Sequence, residues 1–357
     1  MSLAELTVQN LRCIEHAELR FGSGTSLIYG ANGAGKTSIL EAIFLLGRGR
    51  SFRTRLNERL VQHGQPLARV VGRIDASPLT HTVGIEVRKG ADSKGGTIGR
   101  LDGSPLRSFA ELALAFPVQI IDPDAHKLIE DSSARRRRWL DWAVFHVEHG
   151  FAAAWSRYQR ALAQRNAALK SGVARLDVWD TALATEGELL TSARERLITA
   201  LRPYWQELST ELVGLELSLG FQPGWDREIP LVDALAINAP RDRERRSSLI
   251  GPHRCDITLK VRGRAARDVL SRGQQKLAAV ALSLCQLEYL KHEHGLQPTV
   301  LLDDPSAELD QDRLQRFIKR VQALESPIVV TALSRDFTLF GDLESVFHVE
   351  QGRVIRV

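Results

Sequence analysis

A short apolar run, Ser26-Leu27-Ile28-Tyr29, leads straight into Gly30-Ala31-Asn32-Gly33-Ala34-Gly35-Lys36-Thr37, and apolar residues return at Ile39, Leu40, Ala42, Ile43 and Leu46. The first run reads as a strand and the last series as one face of a helix. Glycines in the turn between them let several backbone N–H groups converge on one anion with no Cβ in the way. The helix start adds the positive end of its dipole. The segment matches the G-x-x-x-x-G-K-[ST] pattern, so a phosphate-cradling loop is expected from Gly30 to Ser38. Lys36 is expected to reach the β- and γ-phosphates of a nucleotide, and the Thr37 hydroxyl to ligate Mg²⁺.

A second element completes this chemistry. Thr299-Val300-Leu301-Leu302 is continuously apolar, as strands buried on both faces are, and it ends in Asp303 and Asp304. The C-terminal ends of such strands host ligands in α/β sheets. Asp303 is expected on the metal, and Asp304 is expected to orient water as a general base. The Asn-Lys-x-Asp guanine reader of GTPases is absent from the sequence, which leaves ATP as the expected nucleotide.

Leu270-Ser271-Arg272-Gly273-Gln274-Gln275-Lys276 narrows the class. It resembles the Leu-Ser-Gly-Gly-Gln signature of ABC ATPases, with Arg272 in place of the first glycine. Alone, the segment would also suit an ordinary helix N-cap. Its position shortly before the Asp303 strand favours a second phosphate grip, made by Ser271, Gly273 and Gln274 at a helix start. In that superfamily the grip closes on ATP held by another subunit. Ser306-Ala307-Glu308-Leu309-Asp310 resembles the D-loop that lies along the same interface.

About 235 residues separate the two phosphate grips, far beyond an ordinary connection, so an inserted domain is required. From about Ser133 to Leu217 the chain is rich in Ala, Leu, Arg and Glu, with Trp139, Trp142, Phe145, Trp155, Tyr158 and Leu162 at helical spacing. The expected fold is α/β: an ABC-type P-loop head, a mixed sheet with an antiparallel subdomain, plus an inserted α-helical arm. The expected boundaries are 1–125 and 246–357 for the head and 126–245 for the arm. Hydrophobic residues at 43% and charged residues at 25% are ordinary globular usage, and no apolar run of about 18 residues suggests a membrane span. Three scattered cysteines indicate neither a zinc site nor a disulfide framework, and no secretory leader is read at the N-terminus, so a cytoplasmic setting is expected.

Further segments carry a more specific resemblance: Arg50-Ser51-Phe52-Arg53 after the phosphate loop, Arg135 to Glu148, Tyr158 to Asn166, and Gly251-Pro252-His253-Arg254-Cys255-Asp256. With the three motifs above, in this order and over essentially the full length, the chain resembles the RecF family of bacterial recombinational and gap repair. The resemblance implies an ATP-dependent homodimer with two bound ATP and Mg²⁺. It also implies binding to double-stranded DNA and single/double-strand junctions, slow and DNA-stimulated hydrolysis, and RecA loading with RecO and RecR.

Two positions depart from the ABC pattern. Ala332 stands where a switch histidine would follow the strand Ile328-Val329-Val330-Thr331, and Asp304 stands where the catalytic residue is usually Glu. A carboxylate one methylene shorter sits further from the attacking water, so slow turnover is expected and ATP acts as a switch. The net charge of +5 suits a polyanionic partner and equally an ordinary globular protein with a slight basic bias, and charge alone does not separate the two. Arg50, Arg53 and Arg55 are the expected DNA-backbone contacts, ahead of Arg135 to Arg138 and of Arg157, Arg160 and Arg165, since each cluster could equally be a solvated or acid-paired face. Gln119 is a candidate Q-loop residue or an ordinary strand residue. A transporter ATPase subunit and an SMC-like structural DNA protein are the competing classes.

Overall fold

The computed structural model describes residues 1–76, 78–90, 96–173, 175–307, 310–335 and 338–357. Along the chain the elements begin with β1 (Ser2–Leu11), β2 (Ile14–Arg20), β3 (Thr25–Tyr29) and α1 (Lys36–Arg48). Then follow β4 (Leu67–Ala76), β5 (Leu79–Arg88), β6 (Gly96–Leu101), β7 (Ser104–Pro105), α2 (Ala110–Ala115) and β8 (Val118–Ile121). The middle holds α3 (Lys127–Glu130), α4 (Ser133–Val147), α5 (Phe151–Ser171), α6 (Asp177–Leu208), β9 (Ser218–Gln222), α7 (Leu231–Arg245), β10 (Asp256–Val261), β11 (Arg264–Ala265), α8 (Ala266–Val269) and α9 (Arg272–His294). The chain closes with β12 (Thr299–Leu302), α10 (Gln311–Ala323), β13 (Ile328–Ala332), β14 (Ser345–Glu350) and β15 (Arg353–Arg356).

Two compact units result: Met1–Ala125 with Gly295–Val357, and His126–His294. The first contains an antiparallel sheet in the order β2-β1-β4-β5-β6-β7 and a largely parallel sheet in the order β15-β14-β3-β13-β12-β8. Helix α1 is buried over nearly its whole surface, because one core takes in Leu6, Val8 and Val70 of the first sheet, Ile39, Ile43 and Leu46 of the helix, and Val118, Leu301 and Val329 of the second. The continuous apolar runs of β12 and β13 are buried at every residue, as expected for parallel strands covered on both faces. α1 stops at Gly49, whose left-handed φ of 62° lets its N–H return to the Leu45 carbonyl at 2.8 Å. A Cβ there would meet the Phe109 ring at 2.3 Å.

The second unit is helical, with a small sheet in the order β11-β10-β9. Its interior is fastened by buried ion pairs. Arg165, fully buried, donates to Asp180 at 2.5 Å, Asp242 at 2.6 Å and the Ser248 hydroxyl at 2.8 Å. Arg194 is bidentate to Asp141 at 2.8 and 3.0 Å. Leaving any one of these charges unpaired in the interior would be strongly destabilising. Sequence composition placed the return to the head at residue 246, but the contacts place 246–294 with the helical unit. The reason is pairing and packing: β10 is hydrogen-bonded to β9, and α9 packs on α6. Among the described residues no helix is long and apolar enough to cross a membrane.

Candidate functional site

The site grows from three adjacent parallel strands. β13 lies between β3 and β12, with Leu302 level with Val330 and Ala332 level with Tyr29. Their C-terminal ends therefore deliver the glycine loop, Thr331 and the Asp303-Asp304 pair to one edge of the sheet. Gly30 leaves β3 at φ 155°, and a Cβ there would lie 2.2 Å from the Val349 carbonyl oxygen. No other residue type fits that position. Gly33 and Gly35 also have positive φ, and α1 begins at Lys36 with no side-chain cap, so its first N–H groups remain available to an anion.

Lys36 folds back over the loop and donates to the Gly30 carbonyl at 2.6 Å and the Ala31 carbonyl at 3.0 Å. Burial lowers its pKa, while the charges of Asp304 and Asp303 oppose that shift. The Thr37 hydroxyl lies 3.0 and 3.1 Å from the two oxygens of Asp303. Asp303 is buried, and this desolvation raises its pKa, although hydroxyl donation from Thr331 and Thr37 works the other way. A divalent cation at this carboxylate would reverse the balance. A hydroxyl and a carboxylate are a hard-oxygen pair that suits Mg²⁺, which commonly takes one or two carboxylates and completes its shell with phosphates and water. Among the described residues no group of three or more His, Cys, Asp and Glu side chains could hold a metal. The residues present thus fit a cation that arrives with a phosphate ligand.

Asp304 has φ 46°, uncommon for a residue with a Cβ. Two bonds hold it there: its N–H donates to the Thr331 hydroxyl at 2.9 Å, and Ser306 donates to its Oδ1 at 3.0 Å. The same Thr331 hydroxyl donates to Asp303 Oδ1 at 2.9 Å. Thr331 is fully buried and joins both acids, a role that sequence reasoning missed. The available signal was a lone polar residue inside an otherwise apolar strand. Ala332, in place of the switch histidine, presents no polar side chain. Its carbonyl accepts from the Gly30 N–H at 3.3 Å.

In the helical unit, Ser271 caps α9. Its Oγ accepts from the Gln274 N–H at 3.3 Å, and Gln274 Oε1 accepts from the Ser271 N–H at 3.0 Å. Among the described residues this reciprocal capping box leaves the hydroxyl proton of Ser271 uncommitted, and Ser271, Arg272 and Gly273 are exposed. Glu308 and Leu309 of the expected D-loop lie outside the described residues. Gln119 sits inside β8, buried, rather than in a loop.

The arginine clusters separate physically. Arg50, Arg53 and Arg55 are exposed on the segment after α1. Arg136 instead pairs with Asp256 at 2.7 Å, Arg137 donates to the Cys255 carbonyl at 2.7 Å, and Arg157 pairs with Glu186 at 2.5 Å. Arg165 is buried and cannot meet a ligand. Arg136, Arg137 and Arg165 fasten the helical unit through partners distant in sequence, and the buried Arg165 is corrected from a DNA-contact candidate, whereas Arg157 keeps an exposed side chain beside its acid.

One further feature was not legible. A recess of about 660 Å³ opens beside the turn between β1 and β2, lined among others by Arg12, Arg59, Gln62, His63 and Lys89. Cys13 in the same turn places its Sγ 3.8 Å from Ser38 Oγ, so the turn that carries Arg12 neighbours the start of α1.

With this geometry described, comparison with known proteins places the chain. The sequence model of the RecF/RecN/SMC N terminal domain family matches residues 2–354. The DNA replication and repair protein RecF of Pectobacterium atrosepticum is 38% identical, covering 99% of this chain and 98% of the relative. That of Stenotrophomonas maltophilia is 38% identical over the full length of both. A solved structure of the recombination mediator protein RecF–ATP in the RecFOR pathway superposes with a TM-score of 0.89 at 27% identity, covering 99% of this chain and 97% of that one. An SMC head bound to the C-winged helix domain of ScpA shares the fold, with a TM-score of 0.61 at 16% identity. The ABC-type head fold expected from the motifs is therefore the fold observed, and the chain belongs to the RecF family of DNA replication and repair proteins, within the wider RecF/RecN/SMC N-terminal domain family.

Proposed function

We propose that this chain is an ATP-gated DNA-binding switch of recombinational and gap repair, with slow ATPase activity. The observation that carries the reading is the convergence of Lys36, Thr37, Asp303 and Asp304 at one sheet edge. The N–H groups from Gly30 to Ser38 bind the phosphates, and Lys36 neutralises the β- and γ-phosphate charge. Thr37 and Asp303 hold Mg²⁺, which when bound neutralises charge on the β- and γ-oxygens. Asp304, oriented by Ser306, positions and deprotonates the attacking water. The recess beside Arg12 takes the nucleoside end, since the turn that carries Arg12 approaches Ser38 and the recess offers cationic and amide donors.

Ser271, Gly273 and Gln274 act on ATP held by a second copy, so nucleotide occupancy drives homodimerisation of the heads. Arg50, Arg53 and Arg55 meet the phosphate backbone of double-stranded DNA without reading bases. Hydrolysis, stimulated by DNA, releases the dimer. The similarity to RecF structures of the RecFOR pathway supports action with RecO and RecR at single/double-strand junctions to assist RecA loading, in the cytoplasm at the nucleoid.

Duplex binding and particle mass, measured with and without ATP and Mg²⁺ for the wild type and Lys36→Ala, test this reading. The wild type is expected to dimerise and bind duplex only with ATP. Lys36→Ala is expected to lose ATP affinity by about 10- to 100-fold, since a charge-assisted contact is removed. Duplex binding indifferent to ATP in the wild type would overturn the switch.

A further inference from the structure

Glu41 is a carboxylate on α1 with no solvent exposure, and side chains from two other segments close around it. From the β1–β2 turn, Arg12 is bidentate to it, Nε to Oε2 and Nη2 to Oε1, each at 2.9 Å. From the segment after α1, the Ser51 hydroxyl donates to Oε1, and the Arg53 guanidinium lies 3.9 Å from Oε2. Ser51 Oγ in turn accepts the N–H groups of Arg53 at 2.9 Å and Thr54 at 3.0 Å, which sets the backbone of the basic segment. Arg12 also donates to the Arg59 carbonyl at 3.0 Å, at the far end of that segment, and it lines the recess. One buried charge therefore holds together the phosphate-loop helix, the recess wall and the arginines proposed to face DNA.

This arrangement exceeds what packing needs. A buried ion pair adds little net stability compared with apolar residues of equal volume, whereas losing one partner is costly. Such a network is well suited to fixing a single geometry for groups on separate segments. We propose that Glu41 is a positioning residue that couples occupancy of the recess beside Arg12 to the presentation of Arg53 and Arg55 to a DNA backbone, resting on the nucleotide and DNA reading above. A ligand that draws on Arg12 acts through these bonds on Glu41 and Ser51, and so on the backbone that carries Arg53. The coupling is reciprocal: duplex DNA raises nucleotide affinity by the factor by which nucleotide raises duplex affinity.

Binding of a slowly hydrolysed ATP analogue with Mg²⁺, measured by calorimetry with and without saturating duplex, tests the coupling. Thermal unfolding of each variant runs alongside. Wild type is expected to bind the analogue at least about fivefold more tightly with duplex. Ser51→Ala keeps the affinity measured without duplex within about twofold, and its enhancement falls to about one. Glu41→Gln loses the enhancement too and also binds the analogue more weakly. A purely structural role would lower the unfolding temperature and leave the enhancement intact. A folded Ser51→Ala protein with full enhancement overturns the proposal, whatever Glu41→Gln does. Wild-type protein that binds the analogue but not duplex overturns the DNA reading itself, and the coupling with it.

Discussion

The Thr37 hydroxyl lies 3.0 Å from Asp303 Oδ1, joining the first turn of α1 to the end of β12 across 266 positions of sequence. Thr331, on the strand between them, donates to the same oxygen at 2.9 Å. The proposed metal site is therefore a short chain of hydroxyls around one buried carboxylate. Its geometry depends on β13 as much as on the two motifs that flank it.

Thr331→Val tests that dependence. Valine keeps the volume but removes a donor to Asp303 and leaves the Asp304 N–H without its acceptor. An unsatisfied buried donor costs about 1–3 kcal/mol. The variant is expected to lose about that much stability in urea unfolding and roughly tenfold in Mg²⁺-dependent nucleotide affinity, with Thr331→Ser retaining both. Equal affinity ratios with Mg²⁺ and with EDTA in Thr331→Val and wild type would remove Thr331 from the site.

Asp304→Asn separates binding from chemistry. The amide keeps the shape and can still accept from Ser306, while Asp303 and Thr37 are untouched. ATP binding is expected to persist, and hydrolysis to fall about 10²–10⁴-fold, the usual contribution of a general base. The dimer should then persist on duplex. Phosphate release at the wild-type rate would place the base elsewhere.

Ser271→Arg addresses the composite site. The substitution puts a large cation at the exposed start of α9 and removes the capping hydroxyl, while Lys36, Thr37 and Asp303 lie on other elements. Such a loss of an N-cap costs about 1 kcal/mol, too little to unfold the unit. ATP affinity is expected to stay near wild type, with ATP-dependent dimerisation lost in light scattering. A full ATP-dependent dimer from this variant would refute a signature acting across subunits.

The helical unit predicts a pH response of its own. His253 Nε2 donates to the Ser248 carbonyl at 3.0 Å, so Nδ1 accepts from the Tyr158 hydroxyl at 2.7 Å and the ring is neutral. Burial pushes its pKa down to about 4. Between pH 6.5 and 4 the unfolded chain binds a proton that the folded chain does not. Stability from this group is thus complete above the unfolded value and is lost as pH falls toward the folded one. The loss should reach on the order of 2–3 kcal/mol, visible as a stability profile steeper in wild type than in His253→Asn. Parallel profiles would show that the histidine does not titrate differently on folding.

Short-range chemistry is legible in the order of residues alone. The glycine loop, Lys36, Thr37 and the Asp303-Asp304 pair are legible as a group because the pattern has fixed residue types at fixed spacing next to a strand and a helix, and folding brings them to one sheet edge. The inserted helical block is equally plain, since its periodicity and composition differ from the flanks. Its far boundary is not, because alternation of strand and helix resumes at β10 in the sequence, while the packing of α9 on α6 carries 246–294 into the helical unit. Charge runs are the least informative. Arg136 and Arg165 look like Arg53 in sequence, and only their pairing with Asp256, Asp180 and Asp242 assigns them to the interior. Thr331, Arg12 and Glu41 lie beyond reach for the same reason. Their roles come from hydrogen bonds between strands and turns that are remote along the chain, and residue spacing carries no information about partners that only folding brings within about 3 Å of one another.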